Sequence, residues 1–248
     1  MYKQIAPVSK VQHSTKRIKR IESLKFAAEQ HLLRIVGPEF ARVAQDCPVV
    51  FIKDQSGGTH PFALAGIRQG ENVMIDRLGR WRGSYLPAVI RRYPFILVNA
   101  GTDQGSTLTV AVDEGSGLLS DDEGERLFDD SGEPTGPLKG VLDLLGQLEA
   151  AERDTRALCE ALIQRELLQP FQVNTAAPSG RRFNVGGILA VDERRFNQLP
   201  DDVFLDWRRR GWLAAVYSHL FSLAKVPAII ARADREMGAP PPPAAGTA

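Results

Sequence analysis

Trp81-Arg82-Gly83-Ser84-Tyr85-Leu86-Pro87-Ala88-Val89-Ile90-Arg91-Arg92-Tyr93-Pro94-Phe95, followed by Ile96-Leu97-Val98, is a stretch that dictates its own path. Each proline fixes its own φ and pushes the residue before it away from helix. Pro87 suits the start of a helix and Pro94 forbids its continuation, so Pro87 to Arg92 makes one or two turns at most. Tyr93 is driven extended and launches a strand over Phe95–Val98. Arg91 and Arg92 point about 100° apart on such a turn, so one of them can face inward.

Outward from this stretch, the chain alternates short β runs with helical periodicity. His31–Val36 looks strand-like, Glu39–Ala44 suits a short helix, and Pro48–Ile52 is strongly β before the turn set Asp54-Gln55-Ser56-Gly57-Gly58. Phe62–Ile67 and Asn72–Ile75 predict two further strands, giving an antiparallel meander. Thr107–Val112 is the partner of Phe95–Val98, and Asn99–Ser106, rich in Gly, Asp and Ser, is the expected hairpin connection. Residues 113–136 read as an acidic surface loop with few apolar anchors.

From residue 137 to 168 the pattern becomes helical. Leu138, Val141, Leu145, Leu148, Ala151, Thr155, Leu158 and Leu162 recur at three- and four-residue steps, an apolar stripe down one long helix or two helices with a break. The stripe packs on a core or, as the alternative, on a coiled-coil partner. Gln169-Pro170 stops it. Phe171–Asn174 and Gly187–Val191 then read as strands joined by a turn around Pro178-Ser179-Gly180. Asp201 or Asp202 suits the N-cap of a helix through Arg210, Gly211 ends it, and Trp212–Leu223 forms the next. Residues 227–248 are expected to hold a helix end and a Pro/Ala tail, with 238–248 unable to build a core. The expected fold is one compact α+β domain over residues 1–226: an N-terminal antiparallel β half, a long helical insertion and a C-terminal helical pair.

Composition narrows the function classes. The 248 residues are 43% hydrophobic and 25% charged, with a net charge of +1 that argues against a general nucleic-acid binder. Basic residues crowd positions 1–34 and acidic ones positions 113–133. These blocks are expected to face solvent or each other, with binding to a charged partner as the alternative. Cys47 and Cys159 sit among apolar neighbours and read as buried reduced thiols, which suits a reducing compartment. The N-terminus carries no signal-like apolar run and no stretch approaches the roughly 18 apolar residues of a membrane span, so a soluble cytoplasmic protein is expected, with non-Sec export to the cell surface as the alternative.

Motifs for chemistry are missing. Gly115-Ser116-Gly117 lacks the spacing of a nucleophile elbow, and neither cysteine has a catalytic signature. His13, His31, His60 and His219 stand alone, without metal-ligand spacing, and His219 reads as a structural core residue. Asp129-Asp130-Ser131-Gly132-Glu133 reads as a turn around a left-handed glycine rather than a calcium loop, and Val185-Gly186-Gly187-Ile188 as a strand opening whose glycines permit a bulge or close backbone packing rather than a dinucleotide fingerprint. No catalytic residue, metal or cofactor is expected. The candidate ligand cluster is Trp81, Tyr85, Arg91, Arg92 and Tyr93, where an inward guanidinium would meet either a bound anion or an internal carboxylate or aromatic ring.

Gly79-x-Trp81, Tyr85-Leu86-Pro87-Ala88 and Ile90-Arg91-Arg92-Tyr93-Pro94-Phe95 resemble the signature of the bacterial SapC family. Pro48-Val49-Val50-Phe51, Glu125-Arg126-Leu127-Phe128-Asp129, Val191-Asp192-Glu193, Phe196-Asn197-Gln198-Leu199-Pro200-Asp201 and Tyr217-Ser218-His219-Leu220 resemble further family elements, so the likeness spans roughly residues 1–226. The basic N-terminus around Lys16–Arg20 and the Pro/Ala tail depart from it. The resemblance implies a structural or interaction role tied to a bacterial surface layer. The alternative is an accessory role beside TonB-dependent receptors or halogenase-like proteins, with a protein partner or a small anionic or sugar ligand. It transfers no catalytic residue, and an enzyme with an unrecognised site is the third reading.

Overall fold

A computed structural model describes residues 1–100, 108–177 and 179–238. In chain order its first elements are β1 (Ile5–Pro7), α1 (Lys10–His13), β2 (Arg17–Ile18), β3 (Leu32–Arg34), α2 (Phe40–Val43), β4 (Val49–Lys53) and β5 (Thr59–Leu64). Next come α3 (Ala88–Arg91), β6 (Phe95–Asn99), β7 (Leu108–Asp113), β8 (Leu119–Ser120), β9 (Glu125–Arg126) and α4 (Gly136–Gln164). The chain continues with β10 (Leu168–Ala176), β11 (Arg182–Val191), α5 (Glu193–Phe196), α6 (Asp201–Arg209), α7 (Trp212–Ser222) and α8 (Val226–Gly238). This is an α+β fold. The described residues group into two compact units, 1–22 with 88–150 and 23–87 with 151 onward, so one of the three crossings between units falls between Pro87 and Ala88, inside the self-constraining stretch.

In the first unit the antiparallel sheet runs β1-β7-β6. Phe95, Val112, Leu127, Phe128, Leu138 and Leu145 form its core, with Val8, Ile18, Leu97 and Val110 packed against them. The short helix α3 and the strand from Phe95 lie as expected, with a cis Tyr93–Pro94 bond between them. Asp113 corrects the reading of residues 113–136 as a surface loop, because it is wholly buried. Its Oδ1 accepts the N–H of Gln4 (2.7 Å) and of Gly115 (3.1 Å), and its Oδ2 accepts the N–H of Lys3 and the Tyr93 hydroxyl (both 3.1 Å). A buried carboxylate is tolerable only when its lone pairs are filled this way, and here the filling ties β1 to the end of β7. The rest of the acidic block forms β8 and β9 on either side of the basic β2. Lys16 meets Asp121 at 2.9 Å, Lys19 meets Glu123 at 3.9 Å and Lys10 meets Glu133 at 2.9 Å. The two charge blocks thus face each other, in exposed pairs worth at most about 1 kcal/mol each. The Asp129–Glu133 turn carries Gly132 at φ +78, as its sequence predicts.

The second unit holds a five-stranded sheet among its described residues, ordered β10-β11-β4-β5-β3. Asn72–Ile75 is not a strand. It contributes one antiparallel bridge, Ile75 to Trp81, because the Asp76 carboxylate closes a tight turn between them. The helix predicted to reach residue 168 stops at Gln164, where Glu166 takes a left-handed φ of +52 and the Leu167 N–H closes back on the Leu162 carbonyl. Strand β10 therefore begins at Leu168 and contains Pro170, which an edge strand accepts because one side of it needs no donors. β10 and β11 pair well beyond the predicted spans, through a register shift between Phe171 and Val173 that faces Gly186 and Gly187, the latter at φ +73. The C-terminal region adds α8 to the expected pair, so the segment read as a helix end is itself a helix. The Asn99–Ser106 connection, the turn at Pro178 and the Pro/Ala tail lie wholly or partly outside the described residues.

Trp212–Gly238 is long and apolar enough by length and composition to cross a membrane, with a mean hydropathy of 1.5 in its best window, although no run of its length was expected from the sequence. Within the fold, 44% of that window is buried, and a 3₁₀ turn at Leu223–Lys225 interrupts it. Its buried face carries the unit's polar core. His219 Nδ1–H donates to the Val49 carbonyl at 2.7 Å, and its Nε2 accepts the Val191 N–H at 2.9 Å. Ser222 accepts the Val49 N–H and donates to the His219 carbonyl. Phe51 packs edge-on to the imidazole at 5.0 Å.

Burial pushes His219 down to about 4, against the smaller upward pull of the Val49 carbonyl. The unfolded chain then binds the proton more tightly than the folded one. Stability present above about pH 6.5 is lost as pH falls toward 4, by about 3 kcal/mol. Urea titrations across pH 4 to 7 should show this slope. His31 is lowered by burial as well and adds in the same direction, so His219→Asn is the comparison: it should lose most of the slope in this window.

Candidate anion-binding site

The site starts from the turn Asp76–Arg80. Asp76 Oδ1 accepts the N–H of Leu78 at 2.9 Å and of Arg80 at 2.8 Å, while Oδ2 accepts Arg80 Nε at 2.8 Å. These bonds, that of the Arg80 amide first, hold the Asp76 carboxyl below the ordinary carboxylate range. Gly79 sits at φ +81, and a Cβ there would stand 1.9 Å from Ser23 Oγ, so both the conformation and the space demand glycine. Its carbonyl accepts the Leu24 N–H, which fixes the turn to the preceding loop. The turn presents Arg77 near its tip and Arg82 just beyond its end.

Helix α8 supplies the other wall. Ile229, Ile230 and Ala233 are buried in the core. Arg232, Arg235 and Glu236, three and four residues apart, share a different face. Asp234 anchors the helix to the turn after β10: it accepts the Ser179 hydroxyl, the Ser179 N–H at 3.2 Å and Arg181 Nη1 at 3.1 Å. The Ser179 bond leads the causes that lower its pKa.

Arg77, Arg82, Arg232, Arg235 and Glu236 line an open cavity of about 410 Å³, with four guanidinium groups against one carboxylate. Arg82 Nη2 donates to Glu236 Oε1 at 2.7 Å and Nη1 to the Val73 carbonyl at 3.1 Å. Arg77 Nε stands 3.7 Å from Glu236 Oε2. Arg232 Nη1 lies 2.7 Å from Met74 Sδ, a weak acceptor, and Arg235 has no acidic partner among the described residues. Guanidinium groups gathered with a surplus of positive charge repel one another until an anion joins them, and their planar forks match phosphoryl and carboxylate oxygens.

Two other polar clusters have their groups paired. Arg34 Nη2 donates to His60 Nδ1 at 2.8 Å, which leaves Nε2–H to donate to Asp54 at 2.9 Å, and Arg34 also pairs with Glu152. Asp54 is held down at about 2, by the Ser56 hydroxyl first and His60 next. A cavity of about 300 Å³ beside Trp212 has its indole N–H on Asp154 and Arg210 on Asp206. Cys47 and Cys159 are free and buried, and burial pushes both up to about 12, so neither is a thiolate near neutral pH. No group of three His, Cys, Asp or Glu residues stands at metal-holding distance among the described residues.

The five residues singled out from the sequence divide between the units. Trp81 and Tyr85 belong to the second. The Tyr85 hydroxyl donates to the buried Glu39 at 2.9 Å and its ring lies 4.5 Å beneath the Arg42 guanidinium. Trp81 Nε1 is buried close against Gly83, without a hydrogen-bond partner among the described residues. Arg91, Arg92 and Tyr93 belong to the first. Arg91 is exposed, Arg92 is half-buried against the Tyr2 hydroxyl, and Tyr93 is buried with its ring 5.4 Å from that of Tyr2. Tyr93 is pushed up to about 12 by burial first and Asp113 second. Arg77, Arg82, Arg232 and Arg235 were not singled out. The available signal was the spacing Arg232-x-x-Arg235-Glu236 on a helical face.

The SapC family model matches residues 8–229. The chain belongs to the SapC family. The match takes in both units, the Asp76–Arg80 turn and Arg77 and Arg82 of the cavity, and stops just before Arg232, Arg235 and Glu236. No curated protein and no solved structure matches this SapC-family chain.

Gly79→Ala should cost about 1–3 kcal/mol through left-handed strain and the clash with Ser23. Urea unfolding should show a lower midpoint at an unchanged m-value.

Proposed function

We propose that this SapC-family protein is a non-catalytic binding protein whose ligand is a small molecule carrying phosphoryl or carboxylate groups. One observation carries the reading: four arginines from a rigid turn and one helix face converge on a cavity that holds a single carboxylate. The volume falls within the range of small-molecule sites. The protonated thiols and the imidazole of His219, locked between two backbone groups, leave these groups in structural roles.

Among the roles the family likeness implies, the accessory one beside an uptake or modifying system suits an anion cavity better than a purely structural role in a surface layer. Two unpaired buried cysteines suit a reducing compartment, so the cytoplasm is the proposed location. Cell fractionation tests this, and recovery at the cell surface would refute it.

Isothermal titration and thermal-shift assays with inorganic phosphate, sugar phosphates and the matching neutral sugars test the cavity. At a hundred times its Kd a ligand adds about 2.7 kcal/mol, which for a chain of this size raises Tm by roughly 5–10 °C. The phosphorylated compounds should produce that shift and the neutral sugars should not. Arg232→Met with Arg235→Met should abolish it while leaving the unliganded Tm within a few degrees. A shift that survives the double substitution would place the ligand elsewhere.

A further inference from the structure

The cavity's arginines are not equivalent. Glu236 reaches Arg82 at 2.7 Å and Arg77 at 3.7 Å, so the carboxylate already occupies the turn side. On the helix side, Arg232 has only the Met74 thioether and Arg235 has no acidic partner among the described residues. A single anionic group can therefore settle on Arg232 and Arg235 without displacing a carboxylate. A second one reaches Arg77 and Arg82 only by taking the place of Glu236.

The turn side is built to receive that second group. Arg82 keeps its Nη1 bond to the Val73 carbonyl at 3.1 Å when Glu236 leaves, so its guanidinium stays aimed at the cavity. Arg77 stays where the Asp76–Gly79 turn puts it. Glu236 itself is 30% exposed and has solvent to turn into, so its release is a side-chain rotation. Two oxygens of one carboxylate shared between two arginines are what a phosphoryl group would replace, with more charge and more acceptors.

Resting on the anion-binding reading, the geometry points to a ligand with two linked phosphoryl groups, a diphosphate, one group on Arg232 and Arg235 and the other displacing Glu236 from Arg77 and Arg82. Glu236 is then the specificity-determining residue. It occupies the place of the second phosphoryl group and makes that group compete with it there.

Titration calorimetry of the full chain with inorganic pyrophosphate and orthophosphate, at one fixed ionic strength, tests this. Glu236→Gln should tighten pyrophosphate by about tenfold and orthophosphate by no more than about threefold, the general effect of one negative charge fewer. Arg82→Met should weaken pyrophosphate by at least about tenfold and leave orthophosphate nearly unchanged, while Arg235→Met weakens both. Glu236→Ala serves as the second variant if Gln retains the Arg82 bond. Equal gains for both ions in the Glu236 variants overturn the displacement and leave the anion cavity standing. No binding of either ion, or binding indifferent to Arg235→Met, overturns the cavity itself.

Discussion

The second unit depends on one imidazole. β11 and β4 are neighbours in the sheet but share a single ladder pair, Leu189 with Phe51. His219 supplies what the ladder lacks, giving a hydrogen to the Val49 carbonyl and taking one from the Val191 N–H. It can do both only in one neutral tautomer. Burial enforces that state, because a charged imidazole would lose its acceptor and stand unsolvated in the core. Ser222, one turn further along α7, holds the Val49 N–H, so helix and strands close as one polar joint inside an apolar shell.

The cavity inherits its geometry from such joints. α7 leads through the Leu223–Lys225 turn into α8, which Asp234 pins to the turn after β10. The opposite wall is a turn with no freedom left, since Asp76 closes it from within and Ser23 blocks any side chain at Gly79. On the proposed reading, arginines carried on these two supports would meet an anion already arranged, which lowers the ordering cost of binding.

The α+β class, the short helix before Phe95, the long helix and the bulge at Gly186-Gly187 were legible because each follows from local rules. Prolines set φ, apolar residues mark a period, and glycines permit what other residues cannot. The burial of Asp113 was not legible. The block that follows it is rich in exposed acidic residues, and three of the four donors to Asp113, from Lys3, Gln4 and Tyr93, lie far away along the chain. The cavity was hidden for the same reason: Arg77 and Arg82 are separated from Arg232 and Arg235 by most of the sequence, and nothing local distinguishes them from solvated charges. Trp81, Tyr85 and the Arg91–Tyr93 group attracted notice through density along the chain, which measures nearness in sequence and not convergence in space.

Pro170 carries a meaning beyond the end of a helix. It stands in β10, the nine-residue outer strand of the five-stranded sheet, where a neighbouring molecule could otherwise dock backbone to backbone. A strand added there needs an unbroken row of donors, and proline removes one near the strand's start. The opposite border, β3, is only three residues long and offers little to extend. The sheet is thereby guarded at both margins against growing from one copy of the protein into the next, a defence against fibre formation written into a single imino acid and a short strand.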